Sequence, residues 1–182
     1  MPLPINSIQG MGVYPEEVYI SFFTEHAENC DIGFAEEVLS QYMSRAGQYG
    51  INSDVAICQM ILETNFLRFT GSVPIEHNNF CGLGAETADN PGLAFRSIAE
   101  GVEAHLQHLY AYASEYELPT RQVDPRFDHV IRGSAVTVLD LSERWAIDPE
   151  YGRKIMNLLE RVTEHAQSYY ENTGSFQTPC SE

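Results

Sequence analysis

Basic side chains are scarce in this chain of 182 residues: ten lysines and arginines stand against 26 aspartates and glutamates, and Lys154 is the only lysine. The formal charge of -16 argues against a nucleic-acid partner, because phosphate binding draws its affinity from clustered Lys and Arg. An anionic membrane surface would repel such a chain. Long apolar runs are lacking as well. None approaches the roughly 20 residues that a membrane span needs, so no insertion into a bilayer is expected. The N-terminus has no basic region followed by a hydrophobic stretch, so no export signal is visible. Repeats and low-complexity segments are absent. Cys30, Cys58, Cys81 and Cys180 show no CxxC or other metal-ligand spacing, which argues against zinc. Cys58 falls in an apolar helical stretch and reads as a buried free thiol, with a bridge to Cys81 as the alternative. No HExxH motif occurs among the six histidines, which read as structural. There is no GxSxG elbow, and neither Cys58 nor Cys81 has the surroundings of a protease nucleophile. The expected chemistry rests on carboxyls, with no metal or other cofactor.

What is present is globular composition, 43% apolar and 20% charged. The length suits one core that buries roughly 70% of the surface of the unfolded chain. Residues 1–14 and 173–182 read as tails, leaving a domain at 15–172. Helical periodicity covers Glu16 to His26, then a stretch capped by Asp31 that stops at Gly47. A third helix begins at Asn52 or Ser53 and runs to about Phe66. It is the most apolar of the set and reads as the buried centre. From Leu67 to Arg96 the helical period disappears among glycines, asparagines and prolines, predicting a loop region with a small β-hairpin. Helices are expected again from Ser97 to about Glu115, where Ser97 and Glu100 fit a capping box. Two more follow, from Val136 to Arg144 and from Pro149, with Asp148 as cap, to about Tyr170. The fold class is mainly α, a helical domain with a short loop-and-hairpin lobe.

Glu63 lies in the last turn of the most apolar helix, on one stripe with Ala56, Gln59 and Met60. Desolvation raises a carboxyl pKa above the ordinary ~4.3, and a helix C-terminus disfavours negative charge, so both effects keep the proton on. A carboxylic acid still protonated near neutral pH is what cleavage of a glycosidic bond requires. The plainer reading of the same residue is a helix-end glutamate that pairs with Arg68 or reaches solvent.

Four strings, CQMILETNFLRFTG, HNNFCGLGA, FRSIAEGVEAHLQHLYAYA and WAIDPEYGRKI, follow one another in register. Together they resemble the glucosaminidases of glycoside hydrolase family 73, over roughly Phe34 to Val162. The resemblance implies a lysozyme-like α-domain of autolysin type that hydrolyses the β-1,4 bond after N-acetylglucosamine in peptidoglycan. It also implies that Glu63 is the general acid, and that the protein works outside the cytoplasm, in the periplasm, in the cell wall or as a secreted protein. Glycan strands are then the expected partner, and oligomeric state is left open. A muramidase or lytic transglycosylase on the same fold, and a wall-binding or assembly protein without turnover, are the competing readings.

By residue type alone, Asn78, Asn79, Phe80 and Gly82 of the second string read as a tight turn between helix and hairpin. The resemblance implies that they also form one wall of the glycan cleft, where amide groups and glycine backbone suit an acetamido sugar. His77, next to them in sequence, is the one histidine expected near substrate. Trp145 and Tyr151 flank the last loop, and such rings either pack under the core or stack on sugar faces. The resemblance implies that they line the cleft, with a tyrosine often in the place of Trp145 and Tyr151 matched directly, so any role for a phenol there falls to Tyr151. The second carboxylate of the family usually sits on a longer lobe than this chain has. Glu86 and Asp89 are its candidates here, and activation of water or assistance by the acetamido group of the substrate remains open.

Overall fold

The computed structural model describes residues 6–87 and 89–174. Among these, five α-helices build the main core, and a two-stranded hairpin forms the small lobe, beside a second, smaller apolar cluster of Cys81, Leu83, Phe95 and Ala104. Helices α1 (Glu16–His26) and α2 (Ile32–Arg45) pack against each other. Asp31 caps α2 as expected, its carboxylate accepting the Phe34 N–H at 3.2 Å. Helix α3 (Ser53–Thr64) begins at Asn52, whose side chain accepts the Asp54 N–H, and every residue from Ser53 to Ile61 is buried. It meets α2, α4 (Ile98–Ala113) and α5 (Tyr151–Thr173), and so is the central helix that its apolar sequence predicts. Phe22, Tyr42, Ile57, Met60, Leu106 and Ile155, all fully buried, illustrate how every helix feeds the core. Burial of each such side chain stabilises the fold by roughly 1.5–3 kcal/mol.

The end of α3 sets up the rest. Asn65, Phe66 and Leu67 take φ of 49°, 59° and 57° in succession. Bulky residues in this left-handed region cost about 1–2 kcal/mol each. The turn is held by Phe66 N–H to Ile61 O at 3.0 Å and Leu67 N–H to the Thr64 hydroxyl at 2.9 Å. It breaks the helix one residue after Glu63 and starts the loop region. That region ends in the hairpin of β1 (Ala85–Thr87) and β2 (Asn90–Pro91), antiparallel, with Ala85 opposite Pro91.

Four sequence expectations need correction. The segment 6–14 is no free tail: Ile8 is fully buried, donating to Val136 O at 3.0 Å and accepting from Asn52 N at 2.9 Å. A single buried apolar side chain leaves no periodicity to read. The helix expected from Val136 to Arg144 shrinks to a 3₁₀ turn at Val138–Leu141. Thr137 there is an extended cap in a box with Asp140, and β-branched Val136, Thr137 and Val138 favour extended backbone. Helix α5 starts at Tyr151, two residues late, because Asp148 instead holds a turn by accepting the Glu150 N–H at 2.9 Å. At α4, Ser97 accepts the Glu100 N–H at 3.2 Å, but the Glu100 carboxylate turns to Arg96 rather than closing the box on Ser97. Cys30, Cys58 and Cys81 are free thiols, Cys58 and Cys81 buried, so no bridge joins them. Cys180 and most of the C-terminal tail lie outside the described residues. Among the described residues no helix is long and apolar enough to cross a membrane.

Candidate active site

Glu63 stands where α3 ends and the loop region turns across it. Its side chain opens to solvent through a groove of about 220 Å³ lined by Phe69, Gly71, Ser72, Val73, Asn79, Gly82 and Ala85. As a residue Glu63 is exposed, yet the protein packed round its carboxyl desolvates the charged form and raises its pKa above the usual carboxylate range. Hydrogen bonds from Tyr151 and Trp145 pull partly in the opposite sense. The result is a carboxyl in contact with the groove yet reluctant to ionise. The groove is small beside closed ligand pockets of roughly 300–1,000 Å³, and it is open to solvent, as binding to a polymer would demand.

The two oxygens of Glu63 have different surroundings. Oε1 accepts a short hydrogen bond from the Tyr151 hydroxyl, brought in by the first turn of α5. Oε2 faces Gly82, where even a β-carbon would come within 3.4 Å of it. Gly82 has φ +69°, so the chain passes beside the acid in a conformation that favours glycine. Tyr151 is itself buried, which pushes its phenol well above the ordinary range, and the neighbouring Glu63 adds to the effect. Its oxygen also accepts from the Gln59 amide at 2.8 Å. Gln59 lies one turn before Glu63 on α3 and is fully buried. Its carbonyl oxygen lies 3.0 Å from His105 Nε2, and His105 Nδ1 lies 2.7 Å from the Tyr42 hydroxyl.

Trp145, half-buried, packs its ring against His105, His108 and Tyr112 at centroid distances of 5.7, 4.9 and 5.7 Å. His108 is in turn fixed by a 2.7 Å contact between its Nδ1 and buried Asp124. The indole is thus held by rings on α4, near enough to Glu63 to favour the charged form of its carboxyl. The structure therefore brings Glu63, Gly82, Trp145 and Tyr151 together.

The remaining expected residues fall differently. Asn79 borders the groove, but its amide is committed to the loop: it donates to Leu83 O and Leu93 O and accepts from Leu83 N, all within 3.0 Å. Asn78 donates to Phe95 O at 3.0 Å and adopts φ 49°, again holding the loop. Phe80 is fully buried beside Phe34 and Phe69, a core residue that cannot meet a sugar. The motif alternates direction, and residue types alone do not say which side chains turn inward. His77 sits on a 3₁₀ turn with Nδ1 buried and unpartnered. Glu86 lies in β1 directly after Ala85 of the groove, and Asp89 is exposed in the turn between the strands.

Sequence reading missed the opposite wall, Phe69 to Val73, whose only signal is the TGSV run straight after the helix. It placed Gln59 on the Glu63 stripe without giving it a role, and it missed His105 and Tyr42, which appear in sequence as polar interruptions of apolar helices. Among the described residues, the side chains close enough to share a cation are Glu25, His26 and His165, on α1 and α5, none of which lines the groove.

A family model described as glucosaminidase, mannosyl-glycoprotein endo-beta-N-acetylglucosaminidase, matches residues 39–164, a span that contains Glu63, the hairpin and Tyr151. The chain is also similar to an uncharacterized protein of Borreliella burgdorferi, 38% identical over 149 residues that cover 82% of this chain and 73% of that protein. The chain belongs to the glucosaminidase family, glycoside hydrolase family 73, and is a glycoside hydrolase that acts on peptidoglycan.

Proposed function

We propose that the protein is an endo-β-N-acetylglucosaminidase that cleaves the β-1,4 bond after N-acetylglucosamine in peptidoglycan, outside the cytoplasm, with Glu63 as general acid. The observation that supports this reading most is the unequal pair of oxygens on a carboxyl whose pKa is raised. Oε1 is occupied by the Tyr151 donor, while Oε2 faces the Gly82 side of the groove. A proton on Oε2 passes to the leaving oxygen as positive charge develops on the sugar ring, and Glu63 becomes a carboxylate. Tyr151 already donates to it and Trp145 favours its charged form, so the new charge is met by dipoles in place. Asn79 and Gly82 keep the loop wall in register, and Trp145 offers a ring edge to the sugar.

On the other face, a group must meet the oxocarbenium-like centre. Glu86 and Asp89 on the hairpin are the protein candidates, and the acetamido group of the substrate is the third. The competing chemistries leave different ends. Digestion of purified cell walls, followed by mass analysis of the fragments, should release reducing N-acetylglucosamine. Reducing N-acetylmuramic acid would identify a muramidase, and an anhydro end would identify a transglycosylase. Binding to walls with no fragment released would identify a wall-binding protein. Any of the three would overturn the proposal.

A further inference from the structure

The side chains of Tyr42, His105, Gln59 and Tyr151 form one unbroken line from the core to Glu63, with separations of 2.7, 3.0 and 2.8 Å before the short final contact. Each interior member has one donor and one acceptor to offer along this line, so the line can run in only two directions. In the forward direction the Tyr42 O–H donates to His105 Nδ1, and His105 Nε2–H donates to Gln59 Oε1. The Gln59 amide then donates to Tyr151 Oη, and the Tyr151 O–H donates to Glu63 Oε1. Every hydroxyl and ring N–H of the line has an acceptor. In the reverse direction His105 Nδ1–H donates to Tyr42, whose own hydroxyl proton is left facing a fully buried core. Among the described residues His105 is the hydrogen-bond partner of that hydroxyl. A buried donor without an acceptor disfavours the reverse arrangement by roughly tenfold or more.

The direction matters for the acid. With the reverse arrangement, Tyr151 donates inward to Gln59 and its oxygen is free to accept the proton of Glu63. That proton is then turned away from the groove. With the forward arrangement, Oε1 is always an acceptor, and the proton of the acid form sits on Oε2, toward Gly82. We infer that Tyr42, His105 and Gln59 are positioning residues: a directional hydrogen-bond relay that assigns the transferable proton of Glu63 to the oxygen facing the groove. Burial and the adjacent His108 hold the His105 pKa down to about 3, so the ring is neutral and has the single donor that the relay needs.

The inference rests on Glu63 being the acid, and its test separates the two. The first measurement needs no activity. The ¹⁵N resonances of the His105 ring in the folded protein should report a neutral ring with the proton on Nε2; a proton on Nδ1, or on both nitrogens, would overturn the relay. The second uses kinetics on cell-wall substrate, with folding checked by circular dichroism. Tyr42→Phe, remote from the groove, should lower kcat about three- to tenfold with KM unchanged. His105→Leu should lower it further, and His105→Gln, which again supplies one acceptor and one donor, should recover most of that loss. Unchanged kcat in folded Tyr42→Phe and His105→Leu would reduce these residues to core packing and overturn the inference. A wild-type protein that releases no sugar would overturn the glucosaminidase reading instead, while the His105 resonances still decide the direction of the relay.

Discussion

The Tyr151 hydroxyl, on the first turn of one helix, donates to Oε1 of Glu63, on the last turn of another, 88 residues away in sequence. Tyr151 is held for this by Gln59, one helical turn from Glu63 itself, so acid and donor share a common support.

Removal of the donor should change the acid rather than the binding of glycan. In Tyr151→Phe the Glu63 carboxylate loses a hydrogen bond that favours its charged form, and burial then dominates the pKa still more. The limb of kcat/KM that falls as pH rises, and reports loss of the acid proton, should move to higher pH. The kcat value at the optimum should fall. A profile that overlays the wild type would remove Tyr151 from the account.

Stability should carry the same signature with its own pH window. The folded-state pKa of Glu63 is raised above its unfolded value. Folding is therefore favoured by the proton below the unfolded pKa, and that contribution is lost as pH rises through the folded pKa. Glu63→Gln, which cannot ionise, should gain on the wild type as pH rises. Its melting temperature should match the wild type near pH 4 and exceed it near pH 8. A difference that is constant across this range, or that shrinks with pH, would contradict a raised pKa.

Much of the frame was legible in the sequence because it is written in local rules. Asp31 and Asn52 cap their helices, the apolar run of α3 marks its central place, and the Gly-rich stretch marks the loop and hairpin. Glu63 could be singled out because helix position and burial act on it through its neighbours in sequence. The groove was harder. Gln59 and His105 meet across 46 residues, and His105 and Tyr42 across 63, so no local pattern pairs them. The side chain of Phe80 turns inward because the backbone of the loop, not the residue type, sets direction. Ile8 is buried within an irregular strap, where one apolar contact has no period.

The loop wall depends on two glycines in different ways. At Gly101 on α4 a β-carbon would lie 1.8 Å from Asn78 O, so helix and loop are in direct backbone contact. Gly101→Ala must push them apart, and overpacking of this kind costs about 1–3 kcal/mol or more. The melting temperature should fall by roughly 5 °C or more, with activity lost as the Asn78–Gly82 segment moves. A thermal melt at wild-type temperature would show that the contact yields easily.

At Gly82 the effect should be on chemistry. Alanine there must adopt φ near +69° and sets its β-carbon 3.4 Å from Glu63 Oε2. Conformational strain of about 1 kcal/mol leaves the fold intact, but the leaving oxygen loses room at the proton. Gly82→Ala should lower kcat about tenfold or more with little change in melting temperature. Equal losses of activity and stability would indicate a collapsed loop instead.

The most direct test of the central claim is the release of reducing N-acetylglucosamine from purified peptidoglycan by wild-type protein and by Glu63→Gln, each verified as folded. If Glu63 delivers the proton, the variant should lose about 10²- to 10⁴-fold in rate while still binding the glycan. A folded Glu63→Gln protein that releases the sugar at the wild-type rate would contradict it.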